Sequence, residues 1–99
     1  MTALAIEIVN VDEDVAENSV RLAIEAISSI TKVKSKTLTI EPHDETRGVW
    51  AKVDIDLPND VNAAYKTSLV STLKGFVNTQ LYVNNKASVY VSITNEGEK

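Results

Sequence analysis

Ninety-nine residues, 43% of them hydrophobic and 24% charged, fit one globular core and are too few for two. The chain contains no cysteine, which excludes disulfides, thiolate metal sites and cysteine nucleophiles. Its net charge of −4 argues against a surface built for nucleic acid or anionic membrane, both of which call for basic patches.

Leu4, Ile6 and Ile8 share one parity and Ala5 and Glu7 the other, which predicts a strand over 3–9 with one buried face. Asn10 or Asp12 can cap a following helix, and Glu13 and Asp14 sit where the helix dipole favours negative charge. Ala16, Val20, Ala23, Ile24, Ile27 and Ile30 then recur at three- and four-residue spacing, with Glu13, Glu17, Arg21, Glu25 and Ser28 opposite. That pattern predicts an amphipathic helix over 12–30.

Residues 32–41 are rich in β-branched types, with Leu38 and Ile40 inward; Val33 has the wrong parity for that face, so a bulge or a late start is expected. Polar residues with a proline and a glycine, Pro42 to Gly48, read as a hairpin loop. From 49 to 57, Val49, Ala51, Val53, Ile55 and Leu57 face one way and Trp50, Lys52, Asp54 and Asp56 the other. Pro58, Asn59 and Asp60 stop that strand and start a helix over 60–77, with Val61, Tyr65, Leu69, Leu73 and Phe76 as its buried stripe. Gly75 costs about 1 kcal/mol against alanine, so the helix is expected to fray or end near it. Leu81, Tyr82 and Val83 look strand-like, Asn84 to Lys86 turn, and Ala87, Val89, Val91 and Ile93 alternate with Ser88, Tyr90, Ser92 and Thr94 as the last strand.

Two helices and four strands, each with one apolar face, require a two-layer solution. The order β-α-β-β-α-β with right-handed crossovers is the ferredoxin-like α+β arrangement: a four-stranded antiparallel sheet, first and third strands central, both helices on one face. One such domain is expected over 1–95, with a flexible tail at 96–99. Leu4, Ile6, Ile24, Ile27, Val53, Ile55, Leu69, Leu73, Val89 and Val91 should form its core. The other sheet face is left open, occupied by Glu7, Trp50, Lys52, Asp54, Asp56, Ser88, Tyr90 and Ser92.

Little in the chain carries recognisable chemistry. His43 is the single histidine and lies near Glu41, Asp44 and Glu45, residue types that could supply a metal or acid–base site, but a charged hairpin loop is ordinarily just solvated and a metal site needs ligands held by further contacts. Asp54 and Asp56 point to the same face, the spacing of a cation chelate or an acid–base pair, and also that of an ordinary wet strand face. No glycine-rich phosphate cradle is present. An RNA-recognition face would need stacking aromatics in a basic setting, yet the third strand follows Trp50 with Asp54 and Asp56. Acylphosphatase-like catalysis would need an arginine after the first strand, where Asn10, Val11 and Asp12 stand.

Trp50 reads either as cover for the rim of its own sheet under the 42–48 loop or, with Tyr90, as an anchor in a protein contact. The lysines of the second strand read as protection against unwanted edge pairing. The function expected is a small, non-enzymatic protein-interaction module of the accessory kind found in bacterial or mobile-element genomes. It should associate with itself as a homodimer, or with another protein, through the open sheet face or an edge strand, with Trp50, Lys52, Asp54, Tyr90 and Ser92 as the contact surface. The fourth-strand side is favoured because Ser88, Tyr90, Ser92 and Thr94 leave its outer face uncharged. Two alternatives stand beside it: a regulatory domain binding a small molecule at a dimer interface, and a small enzyme or metal binder using Glu7, Asp54 and Asp56. No cofactor, nucleic-acid partner or membrane partner is expected. No run approaches the roughly 20 apolar residues of a membrane span, and Met1 to Glu7 lack a basic signal-peptide start, so a cytoplasmic location is expected.

Overall fold

Alternation along Thr2–Val9 produces β1, whose Leu4, Ile6 and Ile8 are fully buried. The computed structural model describes residues 2–31, 34–57, 62–81 and 87–95. After β1 come α1 (Glu13–Thr31), β2 (Lys34–Pro42), β3 (Gly48–Asp56), α2 (Ala63–Leu81) and β4 (Ser88–Asn95). The strands lie in the order β2-β3-β1-β4, and each neighbouring pair is antiparallel. Both helices pack on one face and against each other, α1 over β2 and β3 and α2 over β4. The fold is the ferredoxin-like one that the element order requires.

Asn10 turns the chain out of β1 with a left-handed backbone (φ 66°), a conformation that asparagine tolerates better than most residues. Asp12 then opens α1, its carbonyl accepting the Ala16 N–H at 2.9 Å. The inner face of α1 carries Ala16, Val20, Ala23, Ile24 and Ile27, all buried. Ser19 is buried among them, and its hydroxyl donates to the Val15 carbonyl at 2.8 Å, so no polar group is stranded. Of the expected core, Leu4, Ile6, Ile24, Ile27, Val53, Ile55, Leu69, Leu73 and Val89 are buried, while Val91 on the outer strand β4 is only half-buried.

β2 carries a register shift between Ser35, opposite Ile55, and Leu38, opposite Val53. Three steps on β2 therefore match two on β3, a one-residue bulge that reverses side-chain parity. The irregularity inferred from Val33 thus falls a few residues further on; Val33 itself lies outside the described residues.

α2 departs most from the sequence reading. Its cap is Asn62, whose side-chain oxygen accepts the Tyr65 N–H at 2.8 Å, and the helix runs through Gly75 to Leu81. The buried stripe is Leu69, Leu73, Val77 and Leu81, at strict four-residue spacing. Tyr65 is exposed and does not belong to it, while Phe76 is half-buried and packs against the core beside it. Continuing past Gly75 costs about 1 kcal/mol. Burying Val77 and Leu81 returns about 1.5–3 kcal/mol each, so packing wins. Leu81 accordingly ends a helix rather than beginning a strand. The expectations for Pro58 to Val61, Tyr82 to Lys86 and the 96–99 tail lie outside the described residues.

Candidate functional site

The face of the sheet away from the helices collects the residues of opposite parity, and the pairing registers set them in rows. Glu41, Trp50, Glu7 and Tyr90 form one row across all four strands. Thr39, Lys52, Ala5 and Ser92 form the next, and Asp54 lies opposite Ala3 beyond them. Trp50 is 42% and Tyr90 56% exposed, Lys52 and Ser92 are exposed, and Asp54 is half-buried. All five proposed contact residues therefore share one face, Trp50, Lys52 and Asp54 on β3 and Tyr90 and Ser92 on β4, with β1 between the two sets. Trp50 and Tyr90 are two strands apart, about 10 Å, with Glu7 between them.

The β2–β3 loop folds back over this face, in line with the reading of Trp50 as lying under the 42–48 loop; the part His43 plays in it was not read from the sequence. His43 keeps the parity of Glu41, and its neighbouring position on β3 is Gly48, which has no side chain. The imidazole stacks on Trp50 with ring centroids 4.9 Å apart and planes 12° from parallel. His43 Nδ1 accepts the Glu45 backbone N–H at 3.1 Å, which leaves Nε2 to carry the proton of the neutral ring and donate it to Glu7 Oε2 at 2.8 Å. The His43 side chain is only 4% exposed and Glu7 28%. Trp50 Nε1 donates to Asp44 Oδ1 across a longer 3.4 Å.

Backbone contacts fix the loop from both ends. His43 N–H donates to the Gly48 carbonyl at 3.0 Å and Asn10 N–H to the Arg47 carbonyl at 2.8 Å. Arg47 also pairs with Asp12, an exposed bridge of small value. Gly48 sits at φ 139°, and a Cβ there would stand 1.9 Å from the Ile8 carbonyl oxygen, so glycine is required. The result is a tryptophan on an open face that one stacked ring and one long hydrogen bond contact from the loop side. The signal in the sequence was the pairing of His43 with a glycine across the hairpin.

Both imidazole nitrogens are thus engaged, and the Glu41, His43, Asp44 and Glu45 set presents no spare histidine lone pair to a metal. Among the described residues no group of three or more His, Asp or Glu is gathered to hold a metal ion. Nor does the fold unite Glu7 with Asp54 and Asp56. Asp54 lies opposite Ala3, four residues along β1 from Glu7 and so about 13 Å away.

The two sheet edges differ sharply. β2 carries Lys34, Lys36, Glu41, Pro42 and the bulge, each of which discourages another strand from pairing there. β4, Ser88–Asn95, contains no charge and no proline. Beside it, between α2 and the sheet, runs a groove of about 470 Å³ lined by Ala63, Thr67, Val70, Ser92 and Ile93 among others. On the open face a second groove of about 280 Å³ is lined by Ala5, Thr39, Glu41, Trp50, Ala51 and Lys52. No described helix is long and apolar enough to cross a membrane.

No protein-family model matches the chain, and no curated protein matches it in sequence. Its likeness is to solved structures. A de novo designed protein with a ferredoxin fold superposes with a TM-score of 0.66 at 17% identity, over 99% of this chain and 88% of that one. A hydantoinase/carbamoylase family amidase from Burkholderia ambifaria gives 0.64 at 13% identity over 95% of this chain. A formyltetrahydrofolate deformylase from Pseudomonas putida gives 0.53 at 8% identity over 100%. The chain spans only 27% of the amidase and 30% of the deformylase. At these identities the likeness establishes the ferredoxin-like fold and nothing finer.

Proposed function

We propose that the domain is a non-enzymatic interaction module that pairs with a second copy of itself along the β4 edge. The observation that supports this most is the contrast between its edges. An unpaired strand edge exposes a row of backbone donors and acceptors, and proteins blunt such edges unless they are used. Here β2 is blunted several times over and β4 not at all. Antiparallel pairing of β4 with its two-fold mate would extend the sheet from four strands to eight and satisfy both copies with one patch. The α2–β4 groove lies on the same edge, where the partner's α2 would complete the contact. Tyr90 and Ser92 then border the interface, while Trp50, Lys52 and Asp54 remain on the open face.

Light scattering after size exclusion tests this. Wild type should run at twice the 10.8 kDa chain mass, and Ser92→Lys, which adds a charge to the edge, should run as a monomer with native circular dichroism. A wild type that stays monomeric at high micromolar concentration overturns the reading. So does a Ser92→Lys protein that remains dimeric.

A further inference from the structure

One proton would rearrange the contacts that His43 and Asp44 make over Trp50. Nδ1 of the ring accepts the Glu45 N–H at 3.1 Å, so that nitrogen carries no hydrogen, while Nε2 donates to Glu7 Oε2 at 2.8 Å. Asp44 Oδ1 accepts the Trp50 indole N–H at 3.4 Å and stands 3.7 Å from His43 Nδ1. One carboxylate oxygen is thus in reach of two nitrogens, of which only the indole has a hydrogen to give. We propose that this is a proton-operated switch on the open face. When the ring takes up a proton at Nδ1, the Glu45 N–H loses its acceptor, and Asp44 passes from the indole to the imidazolium.

The exchange follows from counting donors and acceptors. An imidazolium has two donors and no acceptor. Nε2–H keeps Glu7, but a hydrogen on Nδ1 would meet the Glu45 N–H, donor against donor. Moving Asp44 Oδ1 by about an ångström brings its 3.7 Å to the roughly 2.7–2.9 Å of a charge-assisted bond. The Asp44 side chain is 78% exposed, so no packing opposes the move, and its bond to the indole is long and readily given up. The new charge meets Glu7 from β1 and Asp44 and Glu45 from the loop, with Glu41 in the same row on β2. On β3 the ring meets the uncharged indole, and Lys52 belongs to the next row; Tyr90 on β4 lies beyond Glu7, and Arg47 pairs with Asp12. The helices pack on the other face. With ring centroids 4.9 Å apart, the indole is within cation–π reach of the imidazolium, so the stack persists while the other bonds change. The open face then presents a free indole N–H and a released Glu45 amide. The switch operates within one copy of the chain, so it stands or falls separately from pairing at the β4 edge.

His43 and Trp50 are the single histidine and the single tryptophan, so each ring gives its own signal in NMR of the nitrogen-labelled full chain. From about pH 8 to pH 5, the range over which histidines change charge, the imidazole Nδ1, the Trp50 indole N–H and the Glu45 amide should shift together in one single-proton step. Both N–H hydrogens should move upfield as they lose their acceptors. Asp44→Ala should keep the Nδ1 and Glu45 steps and lose most of the indole step, and His43→Gln should show no step. A ring that takes up no proton by about pH 5, or takes one up while the Glu45 amide stays still, overturns the switch on the wild type alone. So does an undiminished indole step in Asp44→Ala, which would trace that step to the charge of the ring rather than to the carboxylate. A step that survives in His43→Gln would assign the proton to another group and overturn it equally.

Discussion

Replacing His43 with alanine tests whether the folded-back loop holds Trp50 or merely rests on it. The substitution removes a hydrogen bond from Nε2 to the Glu7 carboxylate, a class worth about 1.5–3 kcal/mol. It also removes a stacked ring pair worth about 0.5–1.5 kcal/mol. Glu7 is 28% exposed and regains water once His43 is gone, so the lower part of each range applies. A loss of about 2 kcal/mol is therefore expected. Urea unfolding followed by Trp50 emission measures it, and Glu7→Gln supplies the second arm of a double-mutant cycle with about 1 kcal/mol of coupling. A loss under about 0.5 kcal/mol, the range of ordinary surface changes, would refute the clasp.

Other substitutions read the fold itself. Gly75→Ala should stabilise the protein by about 0.5–1 kcal/mol in thermal unfolding, because the site is an exposed helix interior with nothing within 4 Å of the added methyl. Gly48→Ala should instead lower Tm sharply, since its Cβ would stand 1.9 Å from a backbone carbonyl. Leu81→Ala should cost about 2–5 kcal/mol by denaturant titration, whereas Tyr65→Ala should cost under about 1 kcal/mol. The reverse order would restore the stripe read from the sequence.

The strands were legible because a two-residue period separates buried from exposed chemistry unambiguously: Leu4, Ile6 and Ile8 against Glu7, and Val49, Ala51, Val53 and Ile55 against Trp50, Lys52 and Asp54. α1 was legible for the same reason at its own period, with acids and Arg21 opposite isoleucines. α2 was blurred because Tyr65 is apolar yet exposed, Phe76 is only half-buried, and Gly75 mimics a stop. What extends that helix is the burial of Val77 and Leu81, a tertiary effect that outweighs the local propensity. The unequal edges were visible in Lys34, Lys36 and Pro42 set against an uncharged β4. The contacts of His43 with Glu7 and Trp50 were not, because they depend on a loop folding back over the sheet, between residues 36 positions apart for His43 and Glu7.

Amide hydrogen exchange at high and low protein concentration reports most directly on whether β4 is the pairing edge. The β4 amides that do not bond to β1 should exchange slowly at high concentration and speed up by about tenfold or more on dilution, while the outer amides of β2 exchange rapidly throughout. Outer β4 amides that exchange rapidly at every concentration would contradict the account.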